Sequence, residues 1–248
     1  KTMLISGFGV AIGYLINFLV TPFITENLGV EAYSFVSIAS TAAGYAGIAA
    51  IALTSFMVRY ISVSYHKNDI KNANSYYSTS IESCLVLSAI IFLLAICMIS
   101  RLEFMIRIPE HLVFSVKILF VIVFTNFIIN MISTPFSTAA YIKNRLDVSG
   151  VIKIVSKLIE VVIMVLAFRL FVPQVWFLAL GSLIASTFML TSNIILTGKL
   201  TPELSYSHHL VKRSKIKDLL ENGIWNSLNQ LGNVLNSGLD LMISNLML

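Results

Sequence analysis

Two groups of residues in this chain carry groups able to bind a ligand, and apolar sequence surrounds both. In "ENGIWNSLNQLGNVLNSGLDLMIS" (Glu221–Ser244), Asn226, Asn229, Asn233, Asn236 and Asp240 recur every three or four positions, so a helix would gather them into one stripe. Uncharged amides can line a wet, protein-bounded cavity or bond to a neighbouring helix, and both readings stand. A carboxylate at Asp240, deep in an apolar medium, needs a proton or a cation beside it, which makes it the candidate cation-coupling residue. The second group is Lys153, Lys157 and Glu160, on one face of another helix. Lys157 and Glu160 can neutralise each other at i,i+3, or the lysines can form a cationic wall for an anion. Lys153, nearer the helix end, can also snorkel to the surface.

A third helix sets Gly9, Gly13, Asn17 and Thr21 at four-residue intervals. The glycines permit close helix packing, while Asn17 suits either an interhelical hydrogen bond or a cavity wall. Lys117 and Glu82 lie near helix ends, where a charge can reach the surface. His208–His209 sits in a basic segment without carboxylates at metal-ligand spacing, so no catalytic or metal-binding residues are assigned. Cys84 and Cys97 share one helix about 20 Å apart, too far for a disulfide.

The elements that position these groups follow from composition. Of the 248 residues, 57% are hydrophobic and only 12% charged, about half the charge of a soluble domain, so the surroundings are lipid. The net charge of +5 is spread between apolar runs rather than over one folded face, which excludes a nucleic-acid partner. Six apolar segments have the length to cross a bilayer: Met3–Ile24, Tyr33–Val58, Ser80–Ile99, Val113–Ser133, Gly150–Phe171 and Val175–Leu196. A seventh starts near Ile224 and is still running at Leu248. The first run is too long for a signal-peptide core and has no small-residue cleavage site behind it. The chain opens on Lys1, not Met, so sequence is expected before it.

Basic residues set the orientation. Lys1, Arg59, Lys67, Lys71, Lys143 and Arg145 fall on one side, joined by Lys199, Lys212, Arg213, Lys215 and Lys217. The other side holds only Arg101, Arg107 and Arg169, so the N-terminus is expected in the cytoplasm. The partition is a six-span lobe over 1–196, a cytoplasmic linker over 197–222 and the start of a second lobe over 223–248. Within the linker, "HHLVKRSKIKDLL" reads as an amphipathic helix on anionic lipid heads. A seventh span entering from the same side as the first is what a parallel repeat of two six-helix lobes requires.

The stretch "INFLVTPFITENLGVEAYSFVSI" (Ile16–Ile38) resembles the first hairpin of polysaccharide flippases in the multidrug/oligosaccharidyl-lipid/polysaccharide exporter superfamily. Pro22, Leu28, Gly29, Glu31 and Tyr33 match that pattern, and Ser34 replaces its usual Gly. The connection "VRYISVSYHKNDIKNANSYYSTS" and "NSGLDLMIS" in the seventh span are also similar. The resemblance implies an all-α integral membrane protein of the MATE-like, two-lobe transporter fold, with alternating access to a central cavity. It implies an undecaprenyl-pyrophosphate-linked oligosaccharide as cargo in a bacterial cytoplasmic membrane, with membrane lipids and polysaccharide polymerase machinery as partners. It further implies drive by H⁺ or Na⁺ through Asp240 and no cofactor. The substrate-cavity candidates are then Asn17, Lys153, Lys157, Glu160, Asn226, Asn229, Asn233 and Asn236. Lipid II flippases of the superfamily carry arginines on the first helix, and this one has none, which turns the expectation to capsule, exopolysaccharide or O-antigen units. A multidrug cation antiporter of the same fold would favour an acidic, aromatic cavity, which the basic Lys153/Lys157 face opposes. A membrane-embedded glycosyltransferase or acyltransferase would need a metal-binding or nucleophile-activating cluster that the sequence does not offer.

Overall fold

The computed structural model describes residues 22 and 28–247, with side chains described for 22, 28, 29 and 32–233. The described residues form helices and connections without a strand. Helices α1 (Val30–Thr54) and α2 (Met57–His66) are separated only by Ser55 and Phe56. They are followed by α3 (Ile70–Ser100), the short α4 (Leu102–Met105), α5 (Val113–Phe136) and the short α6 (Thr138–Ile142). Then come α7 (Leu146–Leu170), α8 (Phe177–Leu200) and α9 (Arg213–Met247), with single 3₁₀ turns at Glu110–Leu112 and His208–Leu210. Four stretches are long and apolar enough to cross a membrane: Ala32–His66, Ile70–Ser100, Glu110–Ile142 and Phe177–Leu200. Helix α7 has the length, but Lys153, Lys157 and Glu160 crowd its middle with charge.

Local chemistry explains the boundaries. Gly29 enters α1 at φ 80°, the left-handed region glycine adopts without a Cβ penalty, and its carbonyl accepts from Tyr33 N at 3.2 Å. Asn68 and Asn144, at φ 60° and 51°, stop α2 and α6 with a positive φ, which asparagine tolerates better than other side chains. The carboxylate of Asp69 caps α3 by accepting from Asn72 N at 3.1 Å. That helix therefore begins ten residues before the apolar run expected from Ser80, its first turns being the polar "IKNANSYYST". Pro135 lies one residue from the end of α5, where its missing N–H removes the bond to the Met131 carbonyl just as the helix stops. Thr197 Oγ1 donates to the Phe136 carbonyl at 2.7 Å and so satisfies that helix end from α8.

The main core joins α1, α2, α3, α5 and α9 through Phe35, Met57, Ile61, Tyr77, Leu119, Phe120 and Leu219. A smaller cluster of Met164, Ala167, Phe168 and Phe177 fixes α7 to α8. On α3, Cys84, Ser88, Ile91, Ala95 and Ile99 are buried, whereas Leu85, Val86, Phe92, Leu93 and Leu94 are exposed. A helix apolar on all sides that leaves one side uncovered is suited to lipid.

The segment after α8 is not a detached surface helix. Residues 201–212 lie along the first turns of α3, and Arg213 begins the helix that runs unbroken to Met247. Asn74 brackets the segment, donating to the Glu203 carbonyl at 3.0 Å and accepting from Ser205 N at 3.1 Å. Ser75 donates to the Leu210 carbonyl at 2.8 Å, while Ser78 and Thr79 accept from Ser207 N and Lys212 N at 3.0 and 3.2 Å. Polar residues that look like a loop in the sequence thus pair with polar residues on a helix. Tyr65, Lys143 and Glu203 meet at this end of the bundle, which gathers three basic connections; we call it the basic end.

Candidate functional site

Helix α5 presents Asn126, Asn130 and Ser133, with Ser137 one residue beyond its end, at intervals of three and four, and α8 presents Ser182, Ser186 and Asn193. The two faces meet. Asn126 Nδ2 reaches Ser182 Oγ at 3.4 Å, Asn130 Nδ2 reaches Ser186 Oγ at 2.9 Å, and Asn193 Nδ2 donates to Ser133 Oγ at 3.0 Å. Residue numbers rise together along these rungs, so α5 and α8 run parallel. Helix α7, which comes between them in the chain, runs in the opposite direction and packs against α8, which is how it brings its charged face to the edge of the same seam.

The three helices line an open cleft with two adjoining chambers, each a recess walled partly by polar side chains. The larger, of about 260 Å³, is lined by Asn126, Lys153, Ser156, Lys157, Glu160 and Ser186, among others. The smaller, of about 150 Å³, lies toward the basic end and includes Thr134, Ser137, Tyr141, Ser149 and Asn193. Asn130, Lys153 and Met189 line both. Lys157 Nζ donates to Glu160 Oε1 at 3.0 Å, with both side chains about a third exposed. With Lys153 alongside, the larger chamber holds two cations and one anion, a net positive charge of one. Close packing keeps α8 here: a Cβ on Gly181 would lie 2.6 Å from the Glu160 carbonyl oxygen. Ser156 is only 7% exposed, and its Oγ has no hydrogen-bond partner.

Of the residues singled out in the sequence, Lys153, Lys157 and Glu160 come together in this cleft. Those amides of α9 whose side chains are described lie elsewhere. Leu219, Gly223 and Ser227 form the buried face of α9, and Ser227 Oγ donates to the Ile48 carbonyl of α1 at 2.6 Å. Asn226, Asn229 and Asn233 occupy the exposed flank beside that face. Asn236 and Asp240 lie within α9 but their side chains fall outside the described residues, as does Asn17 altogether. Lys117 pairs with Glu103 of α4 at 2.5 Å, far from the cleft and at the end opposite the basic one. Glu82 accepts from Tyr206 Oη at 2.7 Å and lies 3.6 Å from His208 Nδ1, so folding supplies the histidine pair with a carboxylate that spacing alone does not. No group of three or more metal-ligating side chains forms among the described residues.

The sequence reading passed over Asn126, Asn130, Ser182, Ser186 and Asn193. Their signal was the one that exposed the α9 stripe: polar residues at helical spacing within an apolar run.

This architecture defines a multi-pass α-helical membrane protein. The chain is 30% identical over 228 residues to a protein of Bacillus subtilis (strain 168) described as "Uncharacterized membrane protein EpsK". The alignment takes in 92% of this chain but 45% of that relative, so the chain spans less than half the relative's length. No protein-family profile and no solved structure matches.

Proposed function

We propose that this chain is the first lobe, and the opening helix of the second, of a flippase for undecaprenyl-pyrophosphate-linked oligosaccharides. The cargo would be a capsule, exopolysaccharide or O-antigen repeat unit crossing a bacterial cytoplasmic membrane, its N-terminal and basic side facing the cytoplasm. The observation that carries this reading is the cleft between α5, α7 and α8, with its net positive charge and its amide and hydroxyl walls. Charges held within a membrane-spanning bundle cost about 2.5–3.5 kcal/mol each on insertion scales, so they persist where they bind something. Lysines supply point charges for pyrophosphate oxygens, and neutral amides and hydroxyls supply donors and acceptors for sugars. The lipid tail needs no pocket. It can remain in the bilayer while the polar head enters between helices.

A multidrug cation antiporter on the same scaffold would use Glu160 as its anchor. The two lysines beside that carboxylate disfavour a cationic guest. Alternating access then requires a driving ion, for which Asp240 is the candidate. The test is polysaccharide export in cells carrying Lys157→Ala in the full-length protein. Export is expected to fall to background with the protein still in the membrane, while Lys117→Ala has little effect. Normal export by the Lys157 variant would reduce the pair with Glu160 to a structural bridge and remove the reading's main support.

A further inference from the structure

Resting on the pyrophosphate reading of the larger chamber, we infer that the smaller chamber is a sugar subsite, which selects the saccharide unit joined directly to the pyrophosphate. The two chambers differ in chemistry. Lys157 and Glu160 line only the larger one, whereas the smaller one adds neutral hydroxyls and an amide from Thr134, Ser137, Ser149 and Asn193. A phosphate can only accept hydrogen bonds in its ionised form and gains most from cations. A sugar hydroxyl both donates and accepts, as these groups do.

The polar groups are also held in place before any ligand arrives. Ser137 Oγ donates to the Thr134 carbonyl at 2.7 Å and Thr134 Oγ1 to the Asn130 carbonyl at 3.3 Å. Hydroxyls whose protons are spent on the backbone keep lone pairs to accept from a ligand. Asn193 is buried and donates to Ser133 Oγ, which fixes the amide plane. Tyr141, half exposed, adds a ring face on which a pyranose can lie.

Size restricts the guest. A volume of about 150 Å³ is below the roughly 300–1,000 Å³ of sites for drug-sized ligands, so the recess itself holds about one ring, with any further units lying outside it. The position is equally restrictive, because Asn130 and Lys153 line both chambers and mark the junction where the phosphate–sugar bond would lie.

The experiment uses full-length protein in lipid nanodiscs and two probes, a short-chain polyprenyl pyrophosphate and the same lipid carrying a single N-acetylhexosamine. The sugar-bearing lipid should bind about tenfold more tightly, the worth of one or two hydrogen bonds. Thr134→Val with Tyr141→Leu should erase that preference and leave the bare lipid's affinity unchanged, whereas Lys157→Ala should weaken both. Ser149→Ala, on α7, tests the same preference without touching α5 and serves if the double variant is not monodisperse. Equal binding of the two lipids by the parent, or a preference that survives these variants, overturns the subsite while leaving the pyrophosphate reading intact. Failure of the bare lipid to bind, with Lys157→Ala without effect, overturns that reading and the subsite with it.

Discussion

A Cβ placed on Gly223 would lie 1.8 Å from the carbonyl oxygen of Ala52. Helices α9 and α1 therefore touch backbone to backbone at this point, a distance only glycine allows. One turn further on, Ser227 Oγ bonds to the Ile48 carbonyl, so the contact is a seam and not a single point. Gly223→Ala must push the helices apart along that seam. Overpacking of this kind costs about 1–3 kcal/mol, visible as a lower unfolding temperature in detergent. Gly232→Ala, on the same helix with nothing within 4 Å of the added Cβ, should leave it unchanged or raise it slightly.

The bracket formed by Asn74 makes a second expectation. Its amide serves the residues on both sides of Leu204, donating to the Glu203 carbonyl and accepting from Ser205 N. Asn74→Ala removes both bonds and should cost about 1–3 kcal/mol. The loss should appear locally, as faster proteolysis between 201 and 212. Lys217→Ala breaks the exposed pair with Glu221 at 3.3 Å and should not change the cleavage rate, since exposed pairs contribute little.

At the same end Tyr65 links two charges, donating to Glu203 Oε2 at 3.0 Å and accepting from Lys143 Nζ at 2.9 Å. Glu203 is held below the usual carboxylate value by its own backbone N–H and then by Tyr65. Its contribution is complete above the ordinary carboxylate pKa and is lost as pH falls through the lowered folded value. Lys143 is held above the usual lysine value, first by the Tyr65 hydrogen bond. Its contribution is complete below the ordinary lysine pKa and is lost as pH rises through the raised one. Hydrogen exchange in 203–206, corrected for intrinsic rates, should therefore be flat near neutrality and quicken at both extremes. Glu203→Gln should abolish the acid limb alone; an acid limb that persists in that variant would locate the titrating group elsewhere.

What could be read in the sequence divides along a physical line. The apolar runs on α3, α5 and α8 announce themselves because burial in lipid depends on composition alone. The pairing of Lys157 with Glu160 follows from i,i+3 spacing on one helix. Asn130 and Ser186 each show helical periodicity, but nothing local states that α5 will face α8 or that α7 will pack along α8 beside them. The same limit hides the docking of 201–212. Hydropathy reads Asn74, Ser75, Ser78 and Thr79 as a loop, although in the structure they are the helical half of a hydrogen-bonded contact.

The remaining prediction concerns Asp240, and it begins with the direction of α9. The helix is continuous from Arg213, at the basic end, so Asp240 lies about 40 Å along it at 1.5 Å per residue. Its basic first turns are anchored to the bundle: Tyr76 Oη donates to Asp218 Oδ2 at 2.8 Å, and Asn222 Nδ2 donates to Tyr60 Oη at 2.8 Å. A carboxylate on the far part of such a helix is costly in an apolar medium unless a proton or a cation accompanies it. Ion binding there can drive transport only by favouring one arrangement of the lobes over the other. A differential affinity of about 5.5 kcal/mol would carry a two-state equilibrium from one extreme to the other, and a smaller bias would still shift it measurably. Asp240→Asn keeps the side chain's shape and a hydrogen-bonding oxygen but loses the titratable charge. Translocation of lipid-linked oligosaccharide by the full-length variant in proteoliposomes should then proceed without responding to an imposed pH or Na⁺ gradient, whereas the parent responds to one of them. An Asn variant as responsive as the parent would make Asp240 structural and move the coupling site to another residue.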